Sequence, residues 1–131
     1  MDNSIIRSLS RSLLVFAALS GAVTVSLGAF AAHGLKLHLS PYLLGVFETG
    51  VQYQAWHSLA MIGCVILARI LASKAVLYAA LFFAAGIVFF SGSLYALALT
   101  GIKWFGPITP MGGICFIIGW VMLAVAAWRS T

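Results

Sequence analysis

Acid–base chemistry in this 131-residue chain rests on two acidic residues and three histidines. Glu48, Gln52, Tyr53 and His57 fall within ten positions of one another, after His33 and before a second polar group, Ser91, Ser93 and Tyr95. A carboxylate and an imidazole held in one layer can exchange a proton or hold a small cation. Other chemistries demand partners that the sequence does not supply. His33 and His57 as paired haem ligands would have to face each other, yet His57 stands roughly eight residues lower on its helix. A Ser91–His57 nucleophile pair has no evident oxyanion hole or third group. Cys64 and Cys115 belong to no CxxC and no Cys/His cluster, so zinc has no ligand set. We therefore expect no enzyme, no metal and no cofactor, and take the eight polar residues as the candidate site.

The elements that position them are membrane helices. Sixty-three per cent of the residues are apolar, and only seven Lys/Arg and two Asp/Glu carry charge. Soluble domains carry about 25% charged residues, so this chain cannot cover a soluble surface. Its net charge of +5 does not mark a nucleic-acid binder, because the cations stand singly or in pairs between apolar runs and form no groove. A bilayer core of about 30 Å needs about 20 helical residues. Four runs qualify, at about 13–32, 49–68, 76–99 and 109–128. They do not alternate as barrel strands do, and the fold class expected is all-α, an antiparallel four-helix transmembrane bundle in a single domain. Ala29-Phe30-Ala31 after an arginine-flanked apolar run imitates a signal cleavage site, but a signal core spans about 7 to 15 residues, and the run reads as a span.

Orientation follows from the basic residues. Arg7, Arg11, Arg69, Lys74 and Arg129 would share one side, Lys36 and Lys103 the other. Positive charge accumulates inside, so both termini are expected in the cytoplasm, with the polar group in the outer half. Helix packing in lipid depends on small residues. Ala17, Ser20, Gly21, Thr24, Gly28 and Ala31 share one face of the first span. Ala79, Gly86, Ser93 and Thr100 recur at sevenfold spacing in the third, and Gly112 and Gly119 in the fourth. On the second span, Glu48, Gln52, Tyr53, Trp56 and His57 cover about half the wheel, with Gln54 pointing elsewhere. Glu48 is placed near a helix N-terminus, beside His33 or Lys36. His57, about 12 Å deep, is expected to bond to Ser91 on the third span. Cys64 and Cys115, about 13 Å apart in depth, are expected to stay unlinked.

Four blocks in order resemble a known family. They are Gly28-Ala-Phe-Ala-Ala-His-Gly-Leu35, Phe47-Glu-Thr-Gly-Val-Gln-Tyr-Gln54 with His57, Phe90-Ser-Gly-Ser-Leu-Tyr95 with Ala98-Leu-Thr-Gly101, and Gly106-Pro-Ile-Thr-Pro110 with Gly112-Gly113 and Gly119-Trp120. The family is the small membrane proteins called domain of unknown function 423, related to transmembrane protein 256. In its first block Ala31 stands where a glycine is usual. The resemblance implies a bacterial inner-membrane protein of four helices and brings no activity, ligand or cofactor.

Two readings of the polar residues remain. In the first they tie helices together in a protein that packs against a membrane partner or a second copy. In the second they line an outward-facing pocket of a small transporter or channel. The first is preferred, because Glu48 lies near enough to the surface to stay hydrated.

Overall fold

The structure, a computed structural model, describes residues 2–130. Helix α1 spans Asn3–His33. Asp2 caps it, its carboxylate accepting from the Ser4 hydroxyl at 2.6 Å and the Ser4 N–H at 3.5 Å. Those two donors hold the Asp2 carboxyl below its ordinary 3.8, the hydroxyl contributing most. At about 1.5 Å per residue, α1 exceeds a bilayer core and carries Arg7 and Arg11 on turns ahead of the apolar run.

A 3-10 turn, Leu35–Leu37, leads to α2, Pro41–Ile70. Ser40 Oγ accepts from Leu43 N–H at 3.2 Å, and Pro41 occupies the first turn, where its missing N–H costs nothing. The helix starts eight residues before the expected span. Glu48 therefore lies two turns inside α2, beyond the reach of the helix-terminal dipole, and among the described residues no ion pair joins it to His33 or Lys36.

The third rod is α3, Lys74–Gly86, a π-turn, Ile87–Ser91, and α4, Gly92–Thr100. Gly101 ends it in the left-handed region, φ 70°, where glycine carries no Cβ penalty. A 3-10 segment, Lys103–Ile108, precedes α5, Thr109–Ser130. Three stretches, Asn3–Leu37, Lys74–Thr100 and Lys103–Ser130, are long and apolar enough to cross a membrane on composition. The fourth rod, α2, matches them in length but is diluted by Glu48, Gln52, Gln54 and His57.

Consecutive rods run antiparallel, so both chain ends lie on one side. In the bundle α1 packs on α2, α2 on the third rod, and the third rod on α5. One apolar cluster joins Leu13, Ala17, Met61, Val65, Val76, Phe83 and Phe116. A smaller one, Ala31, Leu35, Phe47 and Ala98, closes the end near Ser40. On α1 the buried members of the small-residue stripe are Ala17, Ser20, Thr24 and Ala31. Gly21 faces open space and Gly28 only touches Val51 at an ordinary 3.7 Å, so neither is a point of forced close approach. The other three of the expected packing glycines are such points. A Cβ on Gly112 would collide with the Phe90 backbone, one on Gly86 with the Phe116 ring, and one on Gly119 would come within 2.6 Å of Phe83. Thr100 leaves the sevenfold face of the third rod and lies exposed, its hydroxyl returned to Ala96 O at 2.5 Å. Ser93, seven residues beyond Gly86 and past the π-turn, is still buried against α5, so the face is lost only at the last residue of the rod, where Thr100 stands beside the chain reversal at Gly101.

Candidate functional site

Three of the eight polar residues do not enter the bundle. His33, Glu48 and Gln52 are exposed. Glu48 and His57 are nine residues apart, which is half a turn out of phase on a helix of about 3.6 residues per turn. Glu48 accordingly faces outward while His57 is 4% exposed. The carboxylate and the imidazole do not form a pair.

The buried bonds run instead through residues on another face of α2. Gln54, expected to point away, is their hub. Its Nε2 donates to Ser20 Oγ at 3.0 Å and Ser20 O at 3.2 Å on α1. Its Oε1 accepts from Tyr95 OH on α4 at 2.6 Å. Ser58 Oγ, one turn on, lies 2.7 Å from both Ser20 Oγ and Gln54 O. These four side chains tie three rods together. The signal for them was present: Phe47, Gly50, Gln54, Ser58, Met61, Val65 and Ala68 follow a three-to-four-residue spacing and are all buried. Polarity alone drew attention to the wrong face.

Ser91 does not meet His57. The Ser91 hydroxyl donates to Gly50 O at 2.7 Å, an approach kept short by the glycine, whose Cβ would lie 2.7 Å from the Tyr95 ring. Ser93 Oγ donates to Phe90 O at 2.9 Å and meets Thr109 Oγ1 at 2.7 Å, fixing the start of α5. The expected His57–Ser91 bond fails because α2 turns His57 towards α5 and Ser91 looks up to the α2 backbone.

His57 lies near the middle of α2, in a stack of rings between α2 and α5. Its plane is nearly parallel to Phe116, centroids 3.6 Å apart, with Phe83 at 5.3 Å. Nδ1 is 2.7 Å from Tyr53 O. A carbonyl only accepts, so Nδ1 carries the proton and Nε2 presents a lone pair. Trp120 Nε1–H donates to that lone pair at 3.0 Å. The imidazole is thus neutral and fully bonded. Trp120, on α5, is the partner that sequence reasoning missed. A trench of about 630 Å³ runs along this stack, lined by Tyr53, Trp56, Phe90, Phe116 and Trp120 as well as His57. Trp56 and Trp120, 50% and 46% exposed, form its rims, so it opens sideways rather than towards the Glu48 end.

Among the described residues, every fully enclosed side-chain nitrogen or oxygen has a hydrogen-bond partner, and no group of three His, Cys, Asp or Glu gathers as a metal site would require. Cys64 and Cys115 are free thiols, the first buried and the second half-buried.

These geometries can be set beside known proteins. The model of the family described as protein of unknown function (DUF423) matches residues 27–113. The chain is 42% identical over 120 residues to the UPF0382 inner membrane protein YgdD of Escherichia coli (strain K12), covering 92% of each. It is 44% identical over 115 residues to the UPF0382 membrane protein YwdK of Bacillus subtilis (strain 168), covering 87% of this chain and 94% of that one. It is also 44% identical over 116 residues to the UPF0382 membrane protein SAB0533 of Staphylococcus aureus, covering 88% and 94%. No solved structure matches. The four ordered blocks, the four helical rods and these relatives agree: the chain is an integral inner-membrane protein of the DUF423 family.

Proposed function

We propose that this protein is a non-catalytic helix-packing subunit of the cytoplasmic membrane, working as the partner of another membrane protein or of a second copy. One observation carries the reading: the buried polar side chains are paired within the chain. A transport site needs polar groups left for its cargo. Here Gln54, Ser58, Ser20 and Tyr95 bond to each other, and His57 bonds to Trp120 and Tyr53. Glu48, the residue a cation exchanger would use, stands half a turn away from His57 and outside the bundle. The exposed apolar faces of α1 and α5, including Leu19, Val25, Ile114, Ile117 and Val121, are available to lipid or to a partner helix. With both ends on one side, the five basic residues near them favour the cytoplasm for both termini.

Proteoliposomes of the purified chain test this reading. No saturable flux of protons, monovalent cations or lipophilic cations is expected, and Glu48→Gln is expected to leave both protein level and growth unchanged. A saturable flux removed by Glu48→Gln would overturn the proposal in favour of a small transporter. Reporter fusions at the C-terminus should be active only in the cytoplasm; activity outside would reverse the orientation.

A further inference from the structure

At the end of the bundle remote from Glu48, two cavities adjoin across the α2–α3 turn. The larger, about 690 Å³, lies against α5 and carries Lys74 and Arg129. The smaller, about 270 Å³, lies against α1 and carries Arg69 and Lys74. Ala72, Ser73 and Lys74 line both. Lys74 is therefore a shared cation between two arginines. Leu71 walls the larger cavity at the level of the charges, and Val121 and Val125, two turns and one turn before Arg129 on α5, wall it below them. Among the described residues none of the three cations has an ion-pair partner. Asp2, the only acidic residue at this end, is engaged with Ser4. The Ser73 hydroxyl makes no cap bond to its own helix.

We propose that this double cavity binds a dianionic phospholipid of the cardiolipin class, with one phosphate between Lys74 and Arg129 and the other between Lys74 and Arg69. The charge pattern selects the ligand. Two adjoining cationic cavities with one shared lysine match two phosphates on a short bridge, whereas a single-phosphate lipid leaves one cavity cationic and unfilled. The apolar α5 wall selects a lipid over a soluble phosphate, because it continues into the hydrocarbon and accepts an acyl chain. Basic pockets between transmembrane helices hold such headgroups, and guanidinium forks suit phosphate oxygens. The inference is independent of the accessory role and stands or falls separately.

Native mass spectrometry of the full chain released from detergent tests it, with cardiolipin, phosphatidylglycerol, phosphatidylcholine and inorganic pyrophosphate as probes. Cardiolipin should be retained one to one and bind about tenfold more tightly than phosphatidylglycerol. Arg69→Gln and Arg129→Gln should each weaken it about fivefold, the usual effect of one basic group near a lipid surface. Both arginines are exposed, and a thermal-shift measurement checks that the variants stay folded. Lys103→Gln, at the far end, should change nothing. Equal retention of cardiolipin and phosphatidylglycerol would overturn the two-phosphate site. Pyrophosphate binding as tightly as cardiolipin would overturn the lipid assignment. A Lys103→Gln loss equal to that of Arg129→Gln would reduce the effect to unspecific charge.

Discussion

Towards α1 and α4, helix α2 presents Gln54 and Ser58; towards α5 it presents Tyr53 and His57. The first face is closed by short hydrogen bonds among small or medium side chains, with Gly50 O accepting from Ser91 at 2.7 Å. The second is filled by rings, His57 against Phe116, Phe83 and Trp120, and leaves a lateral trench. Lipid gives helices no hydrophobic reason to associate, so contact must come from packing or from bonds. Where side chains are small, backbones approach and polar groups reach across. Where they are large and flat, the helices stand apart, and only a ring-to-ring bond such as His57–Trp120 spans the gap. Hydrogen bonds hold the polar face, and ring contacts hold the aromatic one.

The largest test attacks the packing that supports both faces. Gly112→Ala places a methyl group on the Phe90 backbone, which cannot move aside as a ring can. A loss of about 3 kcal/mol is expected, read as a fall in the detergent melting temperature, while Gly21→Ala, in open space, should be neutral. Gln54→Leu comes next. It removes the bonds to Ser20 and Tyr95 and takes the Gln54 acceptor from the Tyr95 hydroxyl, while Ser20 keeps Ser58, at a cost of about 2 kcal/mol. Gln52→Leu, two positions away but exposed, should cost nothing in the same melt. Equal effects for the two glutamines would erase the distinction between the faces. The smallest effect belongs to the aromatic side. Trp120→Phe keeps most of the ring contact and leaves His57 Nε2 without a donor, for about 1 kcal/mol. A loss as large as that of Gln54→Leu would show that the aromatic face carries the bundle equally.

How much of this the sequence contained differs from helix to helix. On α1, small residues occupy one stripe and large apolar ones the rest, so the buried face was legible: Ala17, Ser20, Thr24 and Ala31 are buried as their spacing requires. On α2 polar residues surround the circumference. Glu48, Gln52, Gln54 and His57 point in several directions, and periodicity alone cannot select the inward one. The neighbours selected it. Ser20 on α1 and Tyr95 on α4 complete the bonds of Gln54, while among the described residues nothing offers Glu48 a partner.

The amino-acid sequence by itself determined the membrane class, the four rods, their antiparallel order and three of the five packing glycines, because burial in lipid demands long apolar helices and close approach demands missing side chains. Only the tertiary structure decided the rotation of α2, the partner of His57 and the π-turn within the third rod. The first two depend on which residues of other helices arrive at the same depth. The π-turn, Ile87–Ser91, falls where Ser91 meets Gly50 O and Gly112 admits the Phe90 backbone. Those contacts join positions more than twenty residues apart, and no local pattern announces them.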